Sequence, residues 1–226
     1  MDERTLLNGI PLFAGMPGEQ LQTLAGALKR RTYRQGAPIL HQGDPGDSLF
    51  IVVAGRVRIY TLSPEGHELS VWICDEGDFF GEMALLSGEP RSASAEAMQA
   101  TEVLVLQRQA FRDYLLANPT AAIHTIEVLS RRLRSTTEDA EGLLSLNVTQ
   151  RIARKLLQLM ERYGVPGEDG VLIDLNLSQE AMATLVGTTR ESANRALSAL
   201  RDQGIVQVDR DGIRVIDPEK LQELLY

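Results

Sequence analysis

The sequence predicts an α+β chain: an N-terminal β-roll (jelly roll), a long helix, and a C-terminal winged helix-turn-helix. Three observations carry this. Between Thr32 and about Gln107, short apolar runs are separated by glycines at positions 36, 43, 46, 55, 66, 77, 81 and 88, close to the roughly ten-residue rhythm of an all-β barrel or jelly roll. Further on, Ile126, Leu129, Leu133, Thr136, Ala140 and Leu143 recur at alternating steps of three and four, which is the a/d seam of a coiled coil. Near the C-terminus, a helix, a glycine turn, a second helix and a hairpin follow one another, the layout of a winged helix-turn-helix.

Taken in order, residues 5–30 read as two short helices, with Leu6, Leu7, Ile10, Leu21 and Leu24 as apolar anchors and Pro11, Pro17 and Gly18 as breakers. Strands are expected over 49–53, 57–60, 69–73 and 103–106. A helical pattern starts after Arg108, broken at Asn118-Pro119. Its seam most simply pairs with the same helix of a second copy, giving a homodimer. Residues 145–149 interrupt the seam and form the expected hinge, after which Ile152, Leu156, Leu157 and Leu159 begin a new amphipathic helix. A strand is expected over 171–175, with residues 164–170 as a loop. Ser178 caps a short helix that Gly187 ends, and Thr188 or Thr189 caps a second helix that Gly204 stops. Residues 205–208 and 213–216, joined by Asp209-Arg210-Asp211-Gly212, make the hairpin. The expected domains are 1–117, 118–146 (dimerisation helix and hinge) and 147–226 (winged helix-turn-helix).

Composition narrows the function. With 226 residues and 43% hydrophobic side chains, two packed domains are within reach. No run approaches the ~20 apolar residues of a membrane span, and Met1-Asp2-Glu3-Arg4 lacks a signal-peptide layout, so a cytoplasmic protein without a membrane partner is expected. Cys74 is the single cysteine, and the three histidines are scattered, which leaves no support for a disulfide, an iron–sulfur cluster or a metal site. The net charge of −8 gives no general basic footprint for nucleic acid. Even residues 145–226 hold 10 Lys and Arg against 12 Asp and Glu, so the case for DNA rests on local geometry.

On the second helix of the motif, Ala193, Ala196, Leu197 and Leu200 share one face, leaving Arg190, Glu191 and Asn194 or Arg195 to project from the other. Arginine can donate a bidentate pair to guanine, and glutamate can accept from cytosine. The segment Phe79-Phe80-Gly81-Glu82-Met83-Ala84-Leu85-Leu86 places a carboxylate inside an apolar run, with Arg91 nine positions later. Gly81-Glu82-Met83-Ala84 can form a helical turn whose backbone N–H groups face an anion. Arg91 can fold back to supply a cation and Ser92 a hydroxyl, while Phe79, Met83, Leu85 and Leu86 anchor the turn. Glu82 would repel phosphate but accept from a sugar hydroxyl, and phosphate plus ribose implies a nucleotide. The same residues could instead form a Glu82–Arg91 ion pair with no ligand.

Phe80-Gly81-Glu82-Met83-Ala84-Leu85-Leu86-Ser87-Gly88-Glu89-Pro90-Arg91-Ser92-Ala93 resembles the phosphate-binding cassette of cyclic-nucleotide-binding domains. With the later Thr189-Arg190-Glu191-Ser192-Ala193-Asn194-Arg195, the chain resembles the CRP/FNR transcription regulators, and among them the cyclic-AMP-responsive catabolite activator group. The resemblance implies that 1–117 is a cyclic-nucleotide-binding domain. It makes Glu82 the partner of the ribose 2′-hydroxyl, and Gly81, Arg91 and Ser92 partners of the cyclic phosphate, with Met83 in the same turn. Thr136 and Thr137 would face the adenine, and Arg132 would lie near the pocket. Arg190, Glu191 and Arg195 would read bases of a palindromic TGTGA-type site, with Ser178, Gln179, Thr189 and Asn194 in the same DNA-facing set. The implied function is an allosteric, cyclic-AMP-responsive regulator, mainly an activator, of the bacterial cytoplasm, with double-stranded DNA and RNA polymerase as partners. Other readings are a regulator of the same fold that needs no nucleotide or senses another small molecule. An enzyme is not expected, since no His/Asp cluster suited to metal-assisted phosphate hydrolysis is present, and no catalytic residue is assigned.

Overall fold

The structure is a computed structural model that describes residues 7, 9–14, 16–175, 177–209 and 212–226, and only the backbone of Gln20 and Thr23. It divides into two compact units, one reaching His67 and resuming from Val71 to Arg134, the other comprising Glu68–Ser70 and Ser135–Tyr226.

In the first unit a 3-10 turn over Pro11–Phe13 precedes helix α1 (Gly18–Ala27). The first of the two expected helices thus falls largely on residues outside those described. Strands β1 (Lys29–Tyr33), β2 (Pro38–Leu40), β3 (Ser48–Ala54), β4 (Val57–Leu62), β5 (Glu68–Cys74), β6 (Phe79–Phe80), β7 (Ser94–Ala97) and β8 (Thr101–Gln107) follow. They form two four-stranded sheets, ordered β1-β8-β3-β6 and β2-β7-β4-β5, as a β-roll requires.

Strand β3 shows why the core holds. Successive side chains of a strand point to opposite faces, and in β3 both faces are covered. Leu49 and Ile51 enter a core with Phe79, Leu85, Leu104, Leu106 and Phe111. Phe50 and Val52 enter a second core with Val57, Cys74, Phe80, Val103 and Val105. The partner strand alternates in step, because Leu49 pairs with Leu106 and Ile51 with Leu104. Full burial of such a side chain contributes about 1.5–3 kcal/mol.

Helix α2 (Glu82–Ser87) lies between β6 and β7, and α3 (Arg108–Ala117) follows β8 directly. Helix α4 (Pro119–Ser145) runs 27 residues and carries the predicted seam. In the single chain Ile126 is 62% and Leu133 69% exposed.

In the second unit α5 (Val148–Tyr163) starts from Asn147, whose side chain accepts from Gln150 N at 3.0 Å while Gln150 Oε1 accepts from Asn147 N at 3.1 Å. This reciprocal capping box explains why the seam stops at 145–149. The expected loop at 164–170 is a hairpin instead: β9 (Gly164–Gly167) pairs with β10 (Gly170–Ile173), and a four-stranded sheet runs β11-β12-β10-β9. Proline is admissible there because β9 is an edge strand. Helices α6 (Gln179–Val186) and α7 (Arg190–Asp202), the wing strands β11 (Val206–Val208) and β12 (Ile213–Val215), and α8 (Pro218–Glu223) complete the unit. Within the predicted hairpin turn, Arg210 and Asp211 lie outside the described residues.

Candidate functional site

Helix α2 is held at both ends by glycines in the left-handed region, Gly81 at φ 83° and Gly88 at φ 82°. Glycine alone adopts this conformation without steric cost. A Cβ on Gly81 would also lie 2.7 Å from Arg91 Nη1. Ala84 and Leu85 face the core, whereas Met83 is 54% and Leu86 47% exposed. The expectation that Met83 and Leu86 anchor the turn is therefore wrong. They lie three positions apart on one helix face, opposite the side that Ala84 and Leu85 bury, and Phe79 of β6 shares the core that Leu85 enters.

Arg91 folds back as anticipated. Its Nη1 donates to Gly81 O at 2.8 Å, and its Nη2 donates to Ser48 O at 2.8 Å and Ser48 Oγ at 3.4 Å. The guanidinium carbon also lies 5.7 Å from the Phe50 ring centroid. Arg91 is 6% exposed, and burial pushes its pKa below the ordinary arginine value, with the carboxylates of Asp47 and Glu82 acting the other way and Arg108 reinforcing the drop. A buried cation whose hydrogen bonds end on neutral oxygens favours an approaching anion. Ser92 is exposed beside it, its Oγ 3.5 Å from Met83 Sδ.

Glu82 is 3% exposed and does not pair with Arg91. Its Oε1 accepts from Arg132 Nη1 of α4 at 2.9 Å. Arg132 Nη2 also donates to Phe79 O and lies 3.8 Å from Cys74 Sγ, and the guanidinium sits 5.7 Å from the Trp72 ring and 5.4 Å from the Phe79 ring. The ion pair expected of a ligand-free rim therefore exists with a different cation. Thr136 and Thr137 are exposed on α4, four and five positions beyond Arg132.

Three contributors were invisible in the sequence: Ser48, whose oxygens accept from Arg91, and Arg108 and Gly46. Arg108 donates from Nη1 to Leu85 O at 2.9 Å and from Nη2 to Gly46 O. Gly46 lets α2 approach, since a Cβ there would be 2.3 Å from the Ala84 Cβ. The one signal for the loop is Pro45-Gly46-Asp47, a turn signature without chemistry.

In the second unit, Ser178 Oγ accepts from Ala181 N at 3.0 Å as the N-cap of α6, and Gly187 ends that helix at φ 62°. Thr189 caps α7, its Oγ1 accepting from Ser192 N at 3.3 Å. Ala193, Ala196, Leu197 and Leu200 are buried, so Arg190, Glu191, Asn194 and Arg195 are left exposed together at the N-terminal half of α7. Arg195 Nη2 donates to Ser192 Oγ at 3.0 Å, and Gln179 is exposed in the first turn of α6. This face can present two guanidiniums, a carboxylate and an amide to a major groove.

A β-roll that buries an arginine beside a glycine-capped helix, in one chain with a winged helix-turn-helix, is the layout of a transcription regulator with a ligand-binding domain. Residues 30–118 match the cyclic nucleotide-binding domain family and residues 150–224 the Crp-like helix-turn-helix domain. The chain is 34% identical over 220 residues to the cyclic AMP receptor protein of Thermus thermophilus, covering 97% of this chain and 99% of that one. It is 31% identical over 221 residues to the CRP-like cAMP-activated global transcriptional regulator of Mycobacterium tuberculosis, covering 98% of each. Among solved structures it resembles the c-di-GMP responsive global regulator CLP of Xanthomonas campestris, with a TM-score of 0.77, 26% identity, and 88% of this chain and 99% of that one covered. The chain belongs to the CRP/FNR family of transcription regulators, whose members are DNA-binding proteins rather than enzymes.

Proposed function

We propose that this protein is a cyclic-AMP-responsive, sequence-specific DNA-binding regulator that acts as a homodimer in the cytoplasm. The observation that carries the ligand reading is the buried Arg91, whose guanidinium meets neutral oxygens 2.8 Å away beside the glycine-capped start of α2. A cyclic phosphate gives that guanidinium a direct anionic partner. Gly81, Arg91 and Ser92 hold that phosphate, with Met83 beside the ligand in the same turn, and Glu82 accepts from the ribose 2′-hydroxyl. Arg132 then shares Glu82 with the ligand, and Thr136 and Thr137 meet the adenine. Two relatives at 31–34% identity whose names specify cyclic AMP favour this nucleotide. Helix α4, with Ile126 and Leu133 exposed, pairs with its twin, since large exposed apolar side chains in series mark an interface. The two α7 helices then read a palindrome of the TGTGA type through Arg190, Glu191 and Arg195, while Ser178, Gln179, Thr189 and Asn194 fix the approach. Working domains of 1–117, 118–146 and 147–226 follow, and RNA polymerase is the partner through which an activator of this class acts.

Calorimetry tests the ligand. Wild type is expected to bind cyclic AMP more tightly than cyclic GMP or cyclic di-GMP, and Arg91→Leu is expected to lose cyclic AMP binding, because it puts an apolar group where the phosphate needs a cation. Unchanged affinity in Arg91→Leu, or a preference for cyclic di-GMP, contradicts the reading.

A further inference from the structure

We propose that Arg108 is a positioning residue for the anion site: it bridges the 46–48 loop to the far end of α2 and so fixes where Arg91 meets the ligand. This rests on the nucleotide-binding reading above and adds a residue to it. The loop's three consecutive carbonyls are all taken by two arginines. Gly46 O accepts from the Arg108 side chain, Asp47 O from the Arg108 backbone N–H at 2.7 Å, and Ser48 O from Arg91 Nη2 at 2.8 Å. Each arginine also grips α2. Arg91 donates to Gly81 O at its start, and Arg108 donates to Leu85 O at 2.9 Å near its end. The short helix is thereby clamped to one loop at both ends.

The arrangement follows from strand register. Pairing of Ser48 with Gln107 in the β3–β8 ladder brings residue 108 beside Asp47, and Arg108 is the first residue of α3. Gly46 and Leu85 are buried, so their carbonyls need a donor that water cannot supply. A planar guanidinium with several fixed donors can serve two carbonyls at once, whereas an ammonium is a point charge on a flexible stem. Arg108 and Arg91 also repel each other, as the lowering of the Arg91 pKa by Arg108 reflects. An anion bound beside the Arg91 guanidinium relieves that repulsion, so ligand affinity depends on Arg108 holding its present geometry.

The test compares wild type, Arg108→Lys and Arg108→Met as full-length proteins. Affinities for cyclic AMP, cyclic GMP and cyclic di-GMP are measured by calorimetry, adenosine affinity by competition, and ligand-free folding by thermal unfolding. The expected result is a loss of about tenfold in cyclic AMP affinity for Arg108→Met, equivalent to the contribution of one charge-assisted hydrogen bond. Arg108→Lys should recover less than half of that loss on a logarithmic scale, and adenosine, which has no phosphate, should bind all three alike. Arg108→Met with wild-type cyclic AMP affinity overturns the inference, as does full rescue by lysine, which would reduce the role to charge. Equal losses for adenosine and cyclic AMP also overturn it, as general loosening. Should Arg108→Met not unfold cooperatively, Arg108→Lys decides alone. Wild type that binds none of the phosphate-bearing probes removes the nucleotide reading and this inference together, whereas wild type that binds while both variants match it removes only this one.

Discussion

At the scale of residues, the site is a set of close approaches made possible by missing side chains. Gly81 gives α2 its left-handed cap, and Gly46 lets Ala84 come within the space a methyl group would fill. Gly46 has no unusual φ to defend, so its replacement reports on space alone. Gly46→Ala is expected to push α2 from the loop and weaken cyclic AMP binding at least fivefold, while destabilising the fold by about 1–3 kcal/mol, the usual range for overpacking. Calorimetry and denaturant unfolding check the two parts, and a variant with wild-type affinity would show that α2 need not sit where it does. Gly81, Glu82, Arg91 and Ser92 were legible because they lie within twelve consecutive residues with a recognisable spacing. Arg108 and Ser48 were not, because a β-ladder brings them together across 60 positions and neither has a distinctive neighbour in sequence. Arg132 was legible only through resemblance, and its direct pairing with Glu82 replaced the Glu82–Arg91 pair that spacing alone had suggested.

Among the elements, the helices were read most accurately where caps and periodicity agreed. Ser178 and Thr189 occupy N-caps, and Gly187 and Gly204 take positive φ values of 62° and 71° at helix ends. Asn147 was missed as a cap, although the change of pattern at 145–149 marked the break it causes. The β9–β10 hairpin was missed for another reason: Gly164-Val165-Pro166-Gly167-Glu168-Asp169-Gly170 has loop composition, and only pairing with Val171–Ile173 makes an edge strand of its first half. For α4, exposure of Ile126 and Leu133 leaves the seam to be tested by association state. Leu133→Glu is expected to shift the protein from dimer to monomer in sedimentation at micromolar concentration, since two carboxylates at one seam position lose apolar burial and repel. A dimer that survives this change would place the interface elsewhere.

For the whole molecule, the proposed switch requires one small ligand to alter DNA affinity in a chain whose net charge is −8. With little general basic character to hold phosphates, the proposed specific binding has to come from α7 and its caps, and in the proposed dimer the ligand has to favour the DNA-competent arrangement. A coupling free energy of about 1–3 kcal/mol, the ordinary allosteric range, corresponds to a 5- to 150-fold change in DNA affinity, and by linkage DNA must tighten ligand binding by the same factor. Glu191→Ala offers an internal control. If Glu191 reads a base, the variant relaxes preference at one base pair of each half-site by about 1–3 kcal/mol and leaves binding to random DNA nearly unchanged. Equal losses on both DNAs would count against base readout.

The most direct test of the account is a fluorescence-anisotropy titration of the wild-type protein on a TGTGA-type palindrome at fixed salt, without and with saturating cyclic AMP. The account predicts that the nucleotide tightens binding to the palindrome at least fivefold, that random DNA shows no comparable gain, and that Arg91→Leu abolishes the difference. Identical titration curves with and without cyclic AMP would contradict it.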